Sequence, residues 1–549
     1  MEEVEDSGHG SFGQAHLHGW VPPFNGEQAP FDVLWTTALD LMRKLEAGDL
    51  SSVELVNVCH DQILTYNRSL KAVYQLCPSA LERAAELDRI RAEGNTLGSL
   101  HGMPILLNGN IGTKPSLGMT TTGGNLGLEY LTTTKNAVVV DKLIDAGAII
   151  LGKTNVSEMM GYKGSSIRPG WSSLHGQTKS PYIDTYIDPE EGVLGHASPG
   201  GASCGSAAAV AAGFAPWAIG TESDGSTLIG ASVRHTLYSI KPARGSVSSE
   251  GIMTACRYLE TPGPMCKSVE DATVLLRAMM DEESEAGYPH DGDDVFSTVL
   301  RGSFGWPRIH LGTLNEFNYR LPDTVQKFDH FPWSEVNTYL DMAYARLRSL
   351  AETAPKDVDV ALNTDFFFRG SDVLLELAVM DFEADFDSYL RGTRGSTITS
   401  LAHLAAWNRA NNSRVFTTEH PDQSIIDRAV AEDHPPERRD DIMLHLRKIS
   451  YSFLQVMNRL EVNVLIAPAD TYFAKYGAAT GLPCFSLPTT HLAWNGRPTG
   501  LVAVARNLAE AFQFLSSYQH SFTRRRPPLA FLDWEDADIA EPMMHMSIY

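Results

Sequence analysis

The sequence predicts an α/β fold, a mixed central sheet wrapped by helices and carrying a helical insertion. Three observations lead there. From residue 101 onward short apolar strands alternate with helices, as in MPILL, NAVVVDKLIDAG, AIILG and SAAAVAAG, and such alternation builds βαβ units whose sheet is covered on both faces. Hydrophobic residues make up 43% and charged residues 20% of a 549-residue chain, the balance of a soluble globular protein with a large core. Residues 285–455 then turn charged, aromatic and helical, as in SEVNTYLDMAYARLRSLAETA, before strand-like VNVLIAP and CFSLPTT return.

Residues 1–30 are rich in Gly, His and Pro and read as a polar N-terminal arm. The remainder, 31–549, reads as a single domain in which 285–455 is an insertion that supplies substrate walls. Ser51-Ser52-Val53-Glu54 is a capping box, in which a Ser hydroxyl and the Glu three residues on satisfy the first free amides of a helix. That helix runs through ELVNVCHDQILTYN, and a second, SALERAAELDRIRAEG, stops at Gly94. RRRPP at 524–528 closes the ordered core.

A formal net charge of −23 argues against nucleic-acid or anionic-membrane surfaces, which recruit Lys and Arg. The six cysteines (Cys59, Cys77, Cys204, Cys256, Cys266 and Cys484) contain no C-x-x-C pair, a pattern of free thiols in a reduced compartment. The acidic start, MEEVEDSGHGSFGQ, has no apolar signal region, so a cytoplasmic location is expected. The eighteen histidines are dispersed without H-E-x-x-H spacing, and the Gly-rich stretch at 198–232 contains no G-x-x-x-x-G-K-[ST] loop. The expectation is therefore a small-molecule substrate, no metal and no cofactor, with a homodimer left open.

Two stretches carry chemistry. HGMPILLNGN (101–110) is a buried strand running into Asn108-Gly109-Asn110; Asn-Gly tolerates positive φ and turns the chain, so an amide side chain reaches a loop at a strand end, where catalytic groups gather. SPGGASCGSAAAVAAGFAPWAIGTESDGSTLIGAS (198–232) places two Gly-rich loops around a small-residue helix. Such loops let backbone amides converge on one anion or oxyanion.

PGGASCGSAAAVAAG, GTESDGS, LYSIKPARGSVSSEGI and ETPGPMCKSVEDA, in this order, resemble the amidase signature family; LHGMPILL, GKTNVSE and GLPCFSLPTT…GRPTGL…RRRPP agree. The likeness spans roughly residues 45–275 and 460–528. GTESDGS most resembles the GTETDGS variant frequent in fungal and some bacterial members, an association with secondary-metabolite tailoring. The resemblance implies a largely parallel mixed sheet and a Lys–Ser–Ser relay, in which a neutral Lys takes a proton through a bridging Ser, held by a cis peptide, from a nucleophilic Ser. It assigns the nucleophile to Ser226 and the oxyanion amides to Ser223, Asp224, Gly225 and Ser226. The bridging Ser is replaced by Ala202, beside Ser203, and the Lys by Asn108.

An amide accepts no proton near neutral pH and a methyl relays none, so amide hydrolysis by the family's route is not expected. Lys114, Lys153, Ser203, His235 and Cys204 are the residues to weigh as replacements. For Lys114 the bland reading is a loop charge, for Lys153 a structural position, for His235 a satisfied core histidine and for Cys204 a small buried hydrophobe. Three functions remain open: non-hydrolytic carbonyl chemistry (cyclisation, isomerisation, addition/elimination or condensation) on a neutral metabolite; an amide or ester hydrolase or acyltransferase with a rewired base; and a catalytically dead amidase fold used for binding.

Overall fold

The computed structural model describes residues 30–183, 188, 191, 194–281, 289–290, 293–302, 305–314, 333–355, 358–360, 366–522 and 525–528. The expected N-terminal arm, apart from its last residue, and parts of the 285–455 insertion lie outside the described residues. Among the described residues the main sheet has ten strands: β1 (Val73–Leu76), β2 (Pro104–Asn108), β3 (Ile149–Thr154), β4 (Trp217–Glu222), β5 (Tyr238–Lys241), β6 (Thr261–Cys266), β7 (Leu311–Thr313), β8 (Val464–Pro468), β9 (Cys484–His491) and β10 (Pro498–Ala505). Their spatial order is β1-β3-β2-β4-β6-β5-β9-β10-β8-β7. Parallel pairs join β3 to β2, β2 to β4 and β8 to β7, and the other neighbours run antiparallel. The expected mixed sheet is thus present, with its contiguous parallel block centred on β2.

Helices cover it: α1 (Ser52–Leu70), α2 (Ala80–Ala92), α3 (Val138–Asp145), α4 (Cys204–Ala211), α5 (Ile229–Val233), α6 (Val269–Met279), α7 (Val373–Leu390), α8 (Pro436–Arg459), α9 (Ala474–Thr480) and α10 (Leu508–Ser521). The capping box forms as read: the Ser51 Oγ accepts the Glu54 amide at 3.1 Å, and Glu54 Oε2 accepts the Ser51 amide at 2.7 Å. β2, β3 and β4 are buried along their whole length, and so is α4; their near-continuous apolar runs follow from having both faces covered. Arg525, in the RRRPP segment, donates to the carbonyls of Leu34 and Ala211, tying the two ends of the described chain together. Among the described residues, no helix is long and apolar enough to cross a membrane.

Candidate active site

Strand β2 delivers Asn108 to the C-terminal end of the parallel block, fully buried. Its Nδ2 donates to Asn110 Oδ1 (2.9 Å) and to Ser203 Oγ (3.3 Å), and its Oδ1 faces the Ser206 (3.4 Å) and Thr154 (3.5 Å) hydroxyls. Asn110 in turn donates to Thr221 Oγ1 (3.2 Å) and the Met253 carbonyl (3.0 Å). Gly109 is required between them, because a Cβ there would stand 2.8 Å from the Thr154 carbonyl oxygen. The result is a neutral, mutually bonded network, the arrangement that lets polar groups stay buried cheaply.

The first Gly-rich loop explains the second half of the missing relay. Gly200 has φ 85°, and Gly201 packs so closely on the Ser226–Thr227 backbone that any side chain would collide with the Ser226 carbonyl. Ala202 therefore sits beside the Ser226 loop, but with a buried methyl. Ser203, at the N-terminal end of α4, directs its hydroxyl to β4: its Oγ donates to the Thr221 carbonyl (3.1 Å) and accepts the Thr221 amide (3.1 Å). Its hydroxyl belongs to the Asn108 network. Among the described residues all peptide bonds are trans, those flanking Ala202 included.

The second loop, after β4, carries Ser226 exposed at its tip. Asp224 Oδ1 accepts both the Ser226 amide (2.8 Å) and the Ser226 hydroxyl (2.7 Å), an Asx-type turn that the short acidic side chain makes two residues on. The amides of Ser223 (3.0 Å), Asp224 (3.2 Å), Gly225 (2.8 Å) and Thr227 (3.1 Å) converge on Glu222 Oε1. Glu222 Oε2 takes those of Leu228 and Ile229, each at 3.0 Å, at the start of α5. Three of the four expected amides, those of Ser223, Asp224 and Gly225, converge together with that of Thr227, whereas the Ser226 amide goes to Asp224; the oxygen at the focus is the chain's own Glu222 carboxylate. Burial and then the nearby Asp224 push Glu222 upward, while bonds from Ile229, Thr227 and Leu228 pull it back.

Four residues at this loop were not singled out from sequence: Glu222, Tyr162, Glu260 and Lys475. The Tyr162 hydroxyl lies 3.3 Å from Ser223 Oγ. Glu260 accepts a bond from Thr254 (2.7 Å), while its other oxygen, Oε1, has no hydrogen-bond partner among the described residues; burial raises it to about 7. Lys475 pairs with Asp372, and the backbone of Ala474–Lys475 packs directly on Gly225. The Glu in GTESDGS, one residue before a run of free amides, was a readable signal. Tyr162, Glu260 and Lys475 come from segments whose approach only the tertiary structure reveals.

None of the weighed replacements meets Ser226. Lys114 is exposed, its backbone held by Asn136. Lys153 follows the period of two to the opposite face of β3 from Thr154 and donates to the Ile111 carbonyl and Thr121; burial lowers it to about 7. His235 bonds back to the Ala231 carbonyl (2.8 Å), and burial lowers it to about 4. The buried Cys204 thiol is pushed by burial up to about 12, far from the thiolate a nucleophile needs.

A mixed ten-stranded sheet with Gly/Ser loops around a serine at its strand ends defines the amidase class of α/β fold. A sequence model of the family described as Amidase matches residues 54–299. The chain is 31% identical over 382 residues to a probable amidase of Arabidopsis thaliana, covering 69% of each chain. It is 29% identical over 389 residues to a putative amidase of Schizosaccharomyces pombe, covering 67% of this chain and 61% of that protein. The native peptide amidase of Stenotrophomonas maltophilia superposes with a TM-score of 0.76 at 27% identity, over 92% of this chain and 99% of that one. The chain belongs to the amidase family.

Proposed function

We propose that this chain is an amide- or ester-directed enzyme that acts on a small neutral carbonyl substrate through Ser226, with Asp224 in place of the Lys–Ser relay. The observation that carries this reading is the 2.7 Å hydrogen bond from the Ser226 hydroxyl to Asp224 Oδ1. A serine hydroxyl is a poor nucleophile without a proton acceptor within hydrogen-bond reach, and Asp224 is such an acceptor. Ser226 Oγ attacks the carbonyl carbon as its proton passes to Asp224. Collapse of the adduct returns that proton to the departing amine or alcohol, and a water, deprotonated by Asp224, then releases the acyl group. A carboxylate is a weaker base than a neutral lysine, so turnover is slow, and esters are favoured over amides. The neutral network around Asn108 supports a neutral substrate, such as an aromatic or polyketide-like carbonyl compound of secondary metabolism.

A second reading draws on a different observation. The amides of Ser223, Asp224 and Gly225 already bond Glu222, so a tetrahedral oxyanion gains less from them than from an open cradle. Ser226 then serves as a hydrogen-bond donor to a carbonyl undergoing non-hydrolytic chemistry, such as cyclisation or addition. The test is incubation with a panel of neutral aryl esters and aryl amides, followed by mass spectrometry. The first reading expects slow ester cleavage that Ser226→Ala abolishes and Asp224→Asn slows at least about tenfold. Cleavage unchanged in Asp224→Asn overturns it; Ser226-dependent consumption without a hydrolysed product supports the second.

A further inference from the structure

Lys475 meets the Ser226 loop through its backbone, and its position is set by three contacts. It is the second residue of α9, whose Ala474–Lys475 peptide lies against Gly225 so tightly that no side chain fits there. Its ammonium pairs with Asp372 Oδ2 and lies 5.3 Å over the Tyr472 ring. Asp372 uses its other oxygen to cap α7, accepting the amides of Leu374 (3.0 Å) and Leu375 (3.1 Å).

Asp372 also ends a hairpin of the helical insertion, with Phe367 opposite Asp372 and Phe368 opposite Ser371. The two turn residues, Arg369 and Gly370, both have positive φ, the tight turn that suits a two-residue hairpin. Phe366, just before it, packs edge-on against Tyr476 of α9 with ring centroids 4.7 Å apart. One lysine and one aromatic pair therefore bind the insertion to the element that touches the serine loop.

The charges around Asp224 give the lysine work. Glu222, Glu260 and Tyr162 all respond to the Asp224 carboxylate from their own elements, and each is disfavoured in its ionised form by it. Lys475 responds in the opposite sense: burial pulls its pKa down, but Asp372 and Asp224 outweigh this and hold it above the ordinary value. The Ala474–Lys475 peptide lies against Gly225, the residue between Asp224 and Ser226, so what holds Lys475 in place also holds the backbone that aims the Asp224 carboxylate.

We infer that Lys475, held by Asp372, is a positioning residue that keeps the Asp224 carboxylate on Ser226 and couples the helical insertion to the reactivity of that serine. The inference rests on the Ser226–Asp224 reading. It makes the insertion more than a substrate wall, since a ligand that shifts the 366–372 hairpin also shifts the charge beside the nucleophile.

The test compares the parent, Lys475→Met, Lys475→Arg and Asp372→Asn by fluorophosphonate labelling of Ser226 across pH 5 to 9, with hydrogen exchange of peptides covering 222–228 and 366–372 alongside. Lys475→Met is expected to label about tenfold more slowly, with the acid limb moved up by about half a pH unit or more, as loss of a neighbouring cation requires. Lys475→Arg restores both, and Asp372→Asn falls between. Exchange in the two peptides rises together in Lys475→Met and not in Lys475→Arg. Labelling with an unchanged rate and limb in Lys475→Met overturns the positioning role, whatever exchange does. If the parent itself does not label, the Ser226–Asp224 reading fails; unchanged exchange then overturns the tether, and raised exchange leaves Lys475 a structural link alone, which also overturns the inference.

Discussion

Replacing Asn108 by aspartate changes one nitrogen to oxygen and probes whether any cation reaches the place where the family's lysine stands. Asn108 is fully buried and donates to Asn110 Oδ1 and Ser203 Oγ. With a carboxylate there, Asn110 Oδ1 faces another acceptor, and it cannot turn away because Asn110 Nδ2 is held by Thr221 and Met253. The lost donor alone costs about 1–3 kcal/mol. Among the described residues the Thr154 and Ser206 hydroxyls remain as donors, at 3.5 and 3.4 Å in the parent, the Ser203 hydroxyl donates to the Thr221 carbonyl, and Lys153 is on the other face. The introduced carboxyl should titrate roughly three units above its unfolded value near 4, and a unit is about 1.4 kcal/mol.

The sign follows from linkage. An acid whose folded pKa is raised imposes no charge penalty below its unfolded pKa, and the penalty grows as pH rises to the folded value. Asn108→Asp should therefore be destabilised relative to the parent at both pH 5.5 and pH 8.5, and by on the order of 2 kcal/mol more at pH 8.5. Urea unfolding of both proteins at the two pH values reads this directly. Equal stability of variant and parent at pH 8.5 would mean that a cation or solvent reaches the node and that the carboxylate is not buried among neutral groups.

The other predictions concern the same loops. Glu260, buried with one unpartnered oxygen and raised to about 7 from an ordinary 4.5, stabilises the fold less as pH climbs from 4.5 to 7; Glu260→Gln should remove on the order of 3 kcal/mol of that decline, seen as a flatter unfolding profile. The double substitution Asn108→Lys with Ala202→Ser should raise fluorophosphonate labelling of Ser226 at least about tenfold, since burial holds the new amine neutral and the new hydroxyl adjoins the Ser226 loop. No gain would mean that the loops have departed from a relay geometry. Lys475→Met should slow labelling and move its acid limb upward, as set out above.

Much of this was legible in the sequence where the signal is local. Ser51 and Glu54 announce their helix, MPILL and VNVLIAP become β2 and β8, and the Asn-Gly turn puts Asn108 at a strand end. The two Gly-rich loops do meet, because Gly201 has no side chain to keep Ser226 away. TPGPMC was not readable as a central strand, since Pro262 and Pro264 each lack an amide hydrogen. It pairs with β4 along its whole length, yet β5 pairs only with Met265 and Cys266, so both prolines fall outside that second register. The direction of the loop amides was equally hidden: their convergence could be read from GTESDGS, but not that Glu222 would fill the focus. Lys475 lies 249 residues after Ser226 along the chain, and no local pattern joins them.

Ser226 keeps a proton acceptor in Asp224 although the lysine relay is gone. Intact-mass detection of a fluorophosphonate adduct on the purified parent, Ser226→Ala and Asp224→Asn at neutral pH tests it most directly. The parent should label slowly and once, Ser226→Ala not at all, and Asp224→Asn at least about tenfold more slowly than the parent. Labelling of Asp224→Asn at the parent's rate would contradict it, because another base would then be activating Ser226.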